Sequence, residues 1–191
     1  MRYLAYILSV AGITLPSLAQ PAPPVPAAQE PAPLLHLTAS FNLQVHASYA
    51  VTAPLFGPEG ERPWAGKHWN PKFIHPQPAA DIEGAVFTIQ HGPMKAVWVN
   101  TLFDVEGRHF QYVYFLPDLM VTVIDVRFKD VPFKPTSADL TEVNVVYTRT
   151  ALTPEGNEHV TAMNKGDKTS GKDWQQAIDD YLAAGKPGSR H

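Results

Sequence analysis

The run from Pro54 to Pro76, PLFGPEGERPWAGKHWNPKFIHP, gathers more side chains able to do chemistry than any other part of the chain. Glu59 and Glu61 flank Gly60 and are followed by Arg62, and Trp64, His68, Trp69 and His75 come after them. Two carboxylates brought to one buried site can hold a proton at neutral pH and pass it to a substrate. Glu61 and His68 are the candidates that acid–base work would use. The plainer expectation is that Glu61 or Arg62 ties the loop to a neighbouring sheet by hydrogen bonds or an ion pair. It takes precedence because no nucleophile or cofactor motif stands beside them.

Five histidines, His46, His68, His75, His91 and His109, raise the question of a metal. Zinc needs three or four nitrogen, sulfur or carboxylate ligands at short range. These histidines are scattered, and no H-x-x-x-H or H-E-x-x-H spacing occurs. No metal or other cofactor is expected. Neither a G-x-S-x-G elbow, a phosphate-binding loop nor a dinucleotide glycine pattern is present.

The elements that would position these groups follow from hydropathy. Pro54, Pro58, Pro63, Pro71 and Pro76 with Gly57, Gly60 and Gly66 make the run itself neither helix nor strand. A long irregular segment in a compact domain is usually a functional loop. Before it, Leu35, Leu37, Ala39, Phe41, Leu43 and Val45 alternate with polar residues, which predicts a half-buried strand. Ala47 to Phe56 predicts a short helical turn that Gly57 and Pro58 stop.

After a linker through Gly84, strands are predicted at Ala85–His91, Lys95–Asp104, His109–Leu116, Leu119–Lys129 and Thr136–Leu152. Turn signals at Gly92-Pro93, Glu106-Gly107 and Pro117-Asp118 separate the first four. Connections this short force antiparallel neighbours. Lys172–Ala184 places Trp174, Ala177, Ile178, Tyr181 and Leu182 at helical spacing, and Gly185 and Pro187 close it. Glu155 to Met163 reads as a preceding helical portion, broken near Gly166. The fold class is α+β: a curved antiparallel sheet whose oily face is covered by the terminal amphipathic helix.

The chain of 191 residues contains no cysteine and carries a net charge of −3. Disulfides, thiol nucleophiles and cysteine lipidation are excluded, and no nucleic-acid partner is indicated. Met1 to Ala19 has a basic start, an apolar centre from Leu4 to Leu15 and small residues at Ser17 and Ala19, the pattern of a cleaved secretory leader. The apolar run is shorter than the roughly 20 residues a membrane helix requires, so no stable anchor remains after cleavage. Residues 20–33 form a Pro/Ala-rich linker, 34–185 the domain and 186–191 a tail. A periplasmic or secreted location is expected.

The order of these elements, with these residues, resembles the START-like superfamily of helix-grip domains, also called SRPBCC proteins. Gly57–Ala65 (GPEGERPWA) with His68–Pro71 (HWNP) looks like the connection between the first two strands of bacterial members. Gly84–Ile89, Val143–Leu152 and the Trp174–Leu182 helix match in order over about residues 35–184. The resemblance implies a sheet wrapped on the last helix around an apolar cavity, and no universal catalytic residues. It makes the Pro54–Pro76 loop a gate and a small hydrophobic or amphipathic molecule the partner. Trp64, Trp69, Trp98, Tyr112, Tyr114 and Trp174 are the expected ligand-contacting residues. Three functions stay open: a binding module, a cyclase- or hydratase-type enzyme, and a non-catalytic envelope interaction protein.

Overall fold

The computed structural model describes residues 32–130 and 139–185. The leader, nearly all of the linker, the tail and positions 136–138 of the last predicted strand lie outside them. Seven strands form one antiparallel sheet: β1 (His36–Val45), β2 (Lys72–His75), β3 (Val86–His91), β4 (Met94–Asp104), β5 (His109–Leu116), β6 (Met120–Asp130) and β7 (Thr141–Ala151). Helices are α1 (Tyr49–Thr52), α2 (Pro154–Asp167) and α3 (Ser170–Ala184), with a 3-10 turn at Ala53–Phe56 directly after α1. The strand order is β1-β7-β6-β5-β4-β3-β2.

Strands β3 to β6 are joined by tight hairpins at the expected turns. Gly92 and Asp118 adopt positive φ angles of 58° and 60° where these turns require it. Alternation sets which side chains turn inward. Phe41, Leu43 and Val45 of β1, Val143, Val145 and Tyr147 of β7, and Phe110, Tyr112 and Tyr114 of β5 are all buried on the concave face. The register between β4 and β5 slips between Asn100 and Leu102, a bulge of the kind that bends a sheet. Helix α2 packs on β7 and β1, and α3 packs on β1, so the helices close the concave side. The architecture is the helix-grip arrangement.

Several element boundaries differ from the sequence expectation: β7 begins at Thr141, although the sequence predicts a strand from Thr136, and three further differences bear on the interior. First, the supposedly irregular Pro54–Pro76 segment ends in a strand, β2, which pairs only with β3 and forms the sheet edge. Its four residues are too few for alternation to reveal, and only Phe73 turns inward, stacking on Phe87 at 5.3 Å. Second, α2 runs through Gly166 to Asp167, and the break falls at Lys168–Thr169. Its start is fixed by Thr153, whose hydroxyl accepts from the Gly156 amide at 3.2 Å, and by Pro154 in the first turn. Third, α3 begins at Ser170, two residues before the expected Lys172.

Strands β1 and β2 occupy opposite edges of the sheet, yet they follow one another in sequence. The chain between them, residues 46–71, therefore has to cross the open side. That topological requirement makes the segment the front wall of the interior.

Candidate functional site

The crossing segment is held by its own polar groups. The Trp64 indole N–H donates to the Leu55 carbonyl at 2.7 Å, and the Trp69 N–H donates to the Pro58 carbonyl at 2.8 Å. Each indole is thus oriented at its polar edge, which leaves the apolar faces for packing. Arg62 donates to Glu59 at 2.8 and 2.6 Å, to the Asn70 side chain at 3.2 Å and to the Pro71 carbonyl at 2.5 Å. Asp81 accepts from the backbone amides of Glu59 at 2.8 Å and Gly60 at 3.1 Å. Gly60 lies so close to the Pro54 carbonyl that a Cβ there would collide with it. Arg62 therefore binds the segment to itself rather than to the sheet, since Glu59, Asn70 and Pro71 all belong to the segment. Asp81 is the unforeseen anchor from outside it.

Behind this wall lies a cavity of about 360 Å3, a volume typical of small-molecule sites. Phe56, Trp64 and Trp69 of the crossing segment form one side, and Phe87, Trp98, Tyr112 and Tyr147 of the sheet form the other. Ile124 and Val126 make the floor, and Trp174 and Ala177 of α3 complete the enclosure. The rings interlock: Trp64 meets Trp174 edge-on at 5.5 Å, Trp69 meets Trp98 edge-on at 5.4 Å, and Phe87 stacks on Trp98 at 5.8 Å. Tyr112 donates its hydroxyl to the Phe56 carbonyl, locking the 3-10 turn against the central strand.

Two carboxylates line this space, and among the described residues no lysine, arginine or histidine does. Asp173 is exposed at the rim, whereas Glu61 is buried at 9% exposure. Among the described residues the Glu61 carboxyl has no hydrogen-bond partner. Burial, reinforced by the negative charge of Asp81, raises its proton affinity well above the usual carboxylate range. Tyr112 and Tyr147 have their hydroxyl pKa values raised, first by burial and then by the charge on Glu61. The Trp98 indole N–H is also buried without a partner among the described residues. A mostly aromatic chamber with one unengaged carboxyl can hold an apolar body and meet one polar group on it.

Of the residues singled out in the sequence, Trp64, Trp69, Trp98, Tyr112, Trp174 and Glu61 are brought together around the cavity. Tyr114 and His68 are not. Tyr114 stacks behind Trp98 at 4.4 Å and receives a hydrogen bond from Arg149 at 2.5 Å. His68 is exposed and lines a separate, polar depression with Lys67, Lys72 and Lys95, so it forms no acid–base pair with Glu61. The other histidines disperse as well. His46 faces Asp179 at 3.0 Å, and His109 faces Asp125 at 2.6 Å on the outer surface. Phe56, Phe87 and Tyr147 belong to the wall without having been singled out as ligand-contacting. Alternation on β3 and β7 turns the last two inward, but no spacing rule reveals which inward residues border empty space.

No family model and no curated protein matches the chain. Solved structures do match in shape. Norcoclaurine synthase from Thalictrum flavum, in complex with dopamine and hydroxybenzaldehyde, aligns with a TM-score of 0.54 at 16% identity, over 80% of this chain and 90% of that one. The protein XoxI from Bacillus cereus aligns at 0.56 with 16% identity, over 76% of this chain and 97% of its own. An uncharacterised protein from Rhizobium leguminosarum aligns at 0.54 with 10% identity, over 80% and 97%. At these identities the likeness establishes the fold, and the fold is the helix-grip one that norcoclaurine synthase shares.

Proposed function

We propose that this protein is an exported START-like binding module that holds a small hydrophobic or amphipathic molecule in the cavity between sheet and α3. The observation that carries the reading is the chamber itself, about 360 Å3 walled by interlocked aromatic rings. A concave, mostly aromatic space of this size with a few polar groups is the form that small-molecule sites take. The norcoclaurine synthase structure holds small aromatic molecules within the same fold, which agrees in scale. Native mass spectrometry of the purified protein tests the reading. A bound small molecule is expected, and it should be lost when Ala177→Phe fills the cavity from α3. Protein that carries nothing and takes up no apolar probe overturns it.

A second reading, acid–base turnover of the cyclase or hydratase kind, is favoured by one observation. Burial and the charge of Asp81 raise the proton affinity of the Glu61 carboxyl well above the usual carboxylate range, the direction a general acid requires. Conversion of a bound compound by the unmodified protein, abolished in Glu61→Gln, would establish it. Unaltered compound after prolonged incubation would remove it.

Export rests on the leader pattern of residues 1–19. Amino-terminal sequencing of protein from the cell envelope or medium should begin at Gln20. A retained Met1 would overturn this part.

A further inference from the structure

The charge balance of the cavity limits what it can hold. Its wall contains Glu61 and Asp173, and Asp81 lies close enough to Glu61 to disfavour ionisation there. Among the described residues no cationic side chain lines the space to neutralise them. Glu61 is nine-tenths buried and accepts no hydrogen bond from any described residue. A carboxyl in that situation costs stability while it is empty. Nothing in the wall compensates it, so the missing partner is expected on the ligand. The surrounding indoles point to the same chemistry, because the negative face of an aromatic ring attracts a cation. An anion would meet two carboxylates and several π faces with no basic group to receive it.

We propose that the ligand is a compact organic cation, an amine or ammonium compound with an apolar ring body, whose charged nitrogen pairs with Glu61 while the body packs among Trp64, Trp69 and Trp98. The proposal rests on the cavity-binding reading and adds the ligand's charge. When the cation enters, the Glu61 carboxyl pairs with it as the carboxylate, its proton passing to solvent, in a charge-assisted contact away from water. Asp81, Asp173, Tyr112 and Tyr147 are the other titratable groups around it. Asp173 at the rim adds an attractive field at the entrance.

The test is calorimetric titration of purified protein with three probes of one shape: naphthylethylamine, naphthylethanol and naphthylacetate. The amine should bind at least about tenfold more tightly than the alcohol, with the carboxylate weakest. Glu61→Gln should erase the gap between amine and alcohol. The ranking is measured on unmodified protein, so it stands whether or not the variant folds. Equal affinities for amine and alcohol, or a preference for the carboxylate, overturn the charge assignment and leave the cavity reading intact. If none of the three binds, the cavity reading falls with it.

Discussion

The guanidinium of Arg149, on the inner face of β7, is clamped by Asp167 at the end of α2 through hydrogen bonds of 2.9 and 2.8 Å. Arg149 is 2% exposed, and it also donates to Tyr114 at 2.5 Å and to Thr122 at 3.0 Å and lies 4.6 Å from the Tyr147 ring centre. The pair fixes α2 to the sheet beside the cavity, where Tyr147 forms wall and Tyr114 backs Trp98. Burial alone would weaken the proton's hold on Arg149, but the hydrogen bonds it donates to Asp167 and the charge of that carboxylate outweigh it. The arginine stays charged, and each of its three nitrogens donates to at least one partner.

Breaking this pair from one side leaves a buried charge uncompensated. Asp167→Leu should lower stability by about 3–5 kcal/mol in urea denaturation. The double change Arg149→Met with Asp167→Leu should recover most of that loss, because no charge is then stranded. Recovery of less than a third would show that packing of α2, rather than charge, sets the cost.

Glu61 should make stability fall as pH rises. Its proton affinity is higher in the folded protein than its ordinary value of 4.5, so the folded state binds more protons than the unfolded one. The associated stability is fully present below about pH 4.5 and is lost progressively as pH climbs through the raised folded value. Glu61→Gln should therefore raise the melting temperature at pH 8 relative to the unmodified protein and narrow the difference at pH 4. Parallel pH profiles for the two proteins would contradict the burial of this carboxyl.

Trp64→Phe keeps most of the ring area but strands the Leu55 carbonyl, which loses its 2.7 Å donor. A buried acceptor left unsatisfied costs about 1–3 kcal/mol. Equilibrium unfolding should register a loss in that range, together with weaker uptake of apolar probes as the front wall loosens. Unchanged stability would mean that water replaces the indole N–H.

Gly60→Ala should be costly although the position lies in an irregular loop, because the added methyl meets the Pro54 carbonyl rather than open space. Overpacking against backbone costs about 1–3 kcal/mol. Gly66→Ala is the contrasting variant. Its Cβ would meet nothing, and only its positive φ of 85° opposes the change. Comparable losses at the two positions would show that backbone conformation, not collision, governs this loop.

Much of the architecture was legible because it depends on periodicity. The strict alternation of Leu35–Val45 and Val143–Tyr147 and the helical stripe of Trp174, Ala177 and Ile178 each identify an inward face from the chain alone. The same alternation puts Arg149 on the buried side of β7, a signal that went unused because a charged residue was not expected there. Its partner Asp167 sat in a stretch read as a helix break. The two are 18 positions apart, and only the docking of α2 on β7 makes them neighbours. Asp81, likewise, had no local pattern linking it to the Glu59 and Gly60 amides it receives.

The sequence by itself determined the element types apart from β2, the antiparallel pairing of neighbouring strands and the aromatic richness of the Pro54–Pro76 segment, since these follow from local pattern and turn chemistry. Tertiary structure alone decided which side chains border empty space. Trp64, Trp69 and Glu61 reach the cavity, while His68, one residue before Trp69, points to the opposite surface. The reason is topological. β1 and β2 stand at opposite edges of one sheet, so the chain between them must cross the open side, and its path sets which face of each residue is inward.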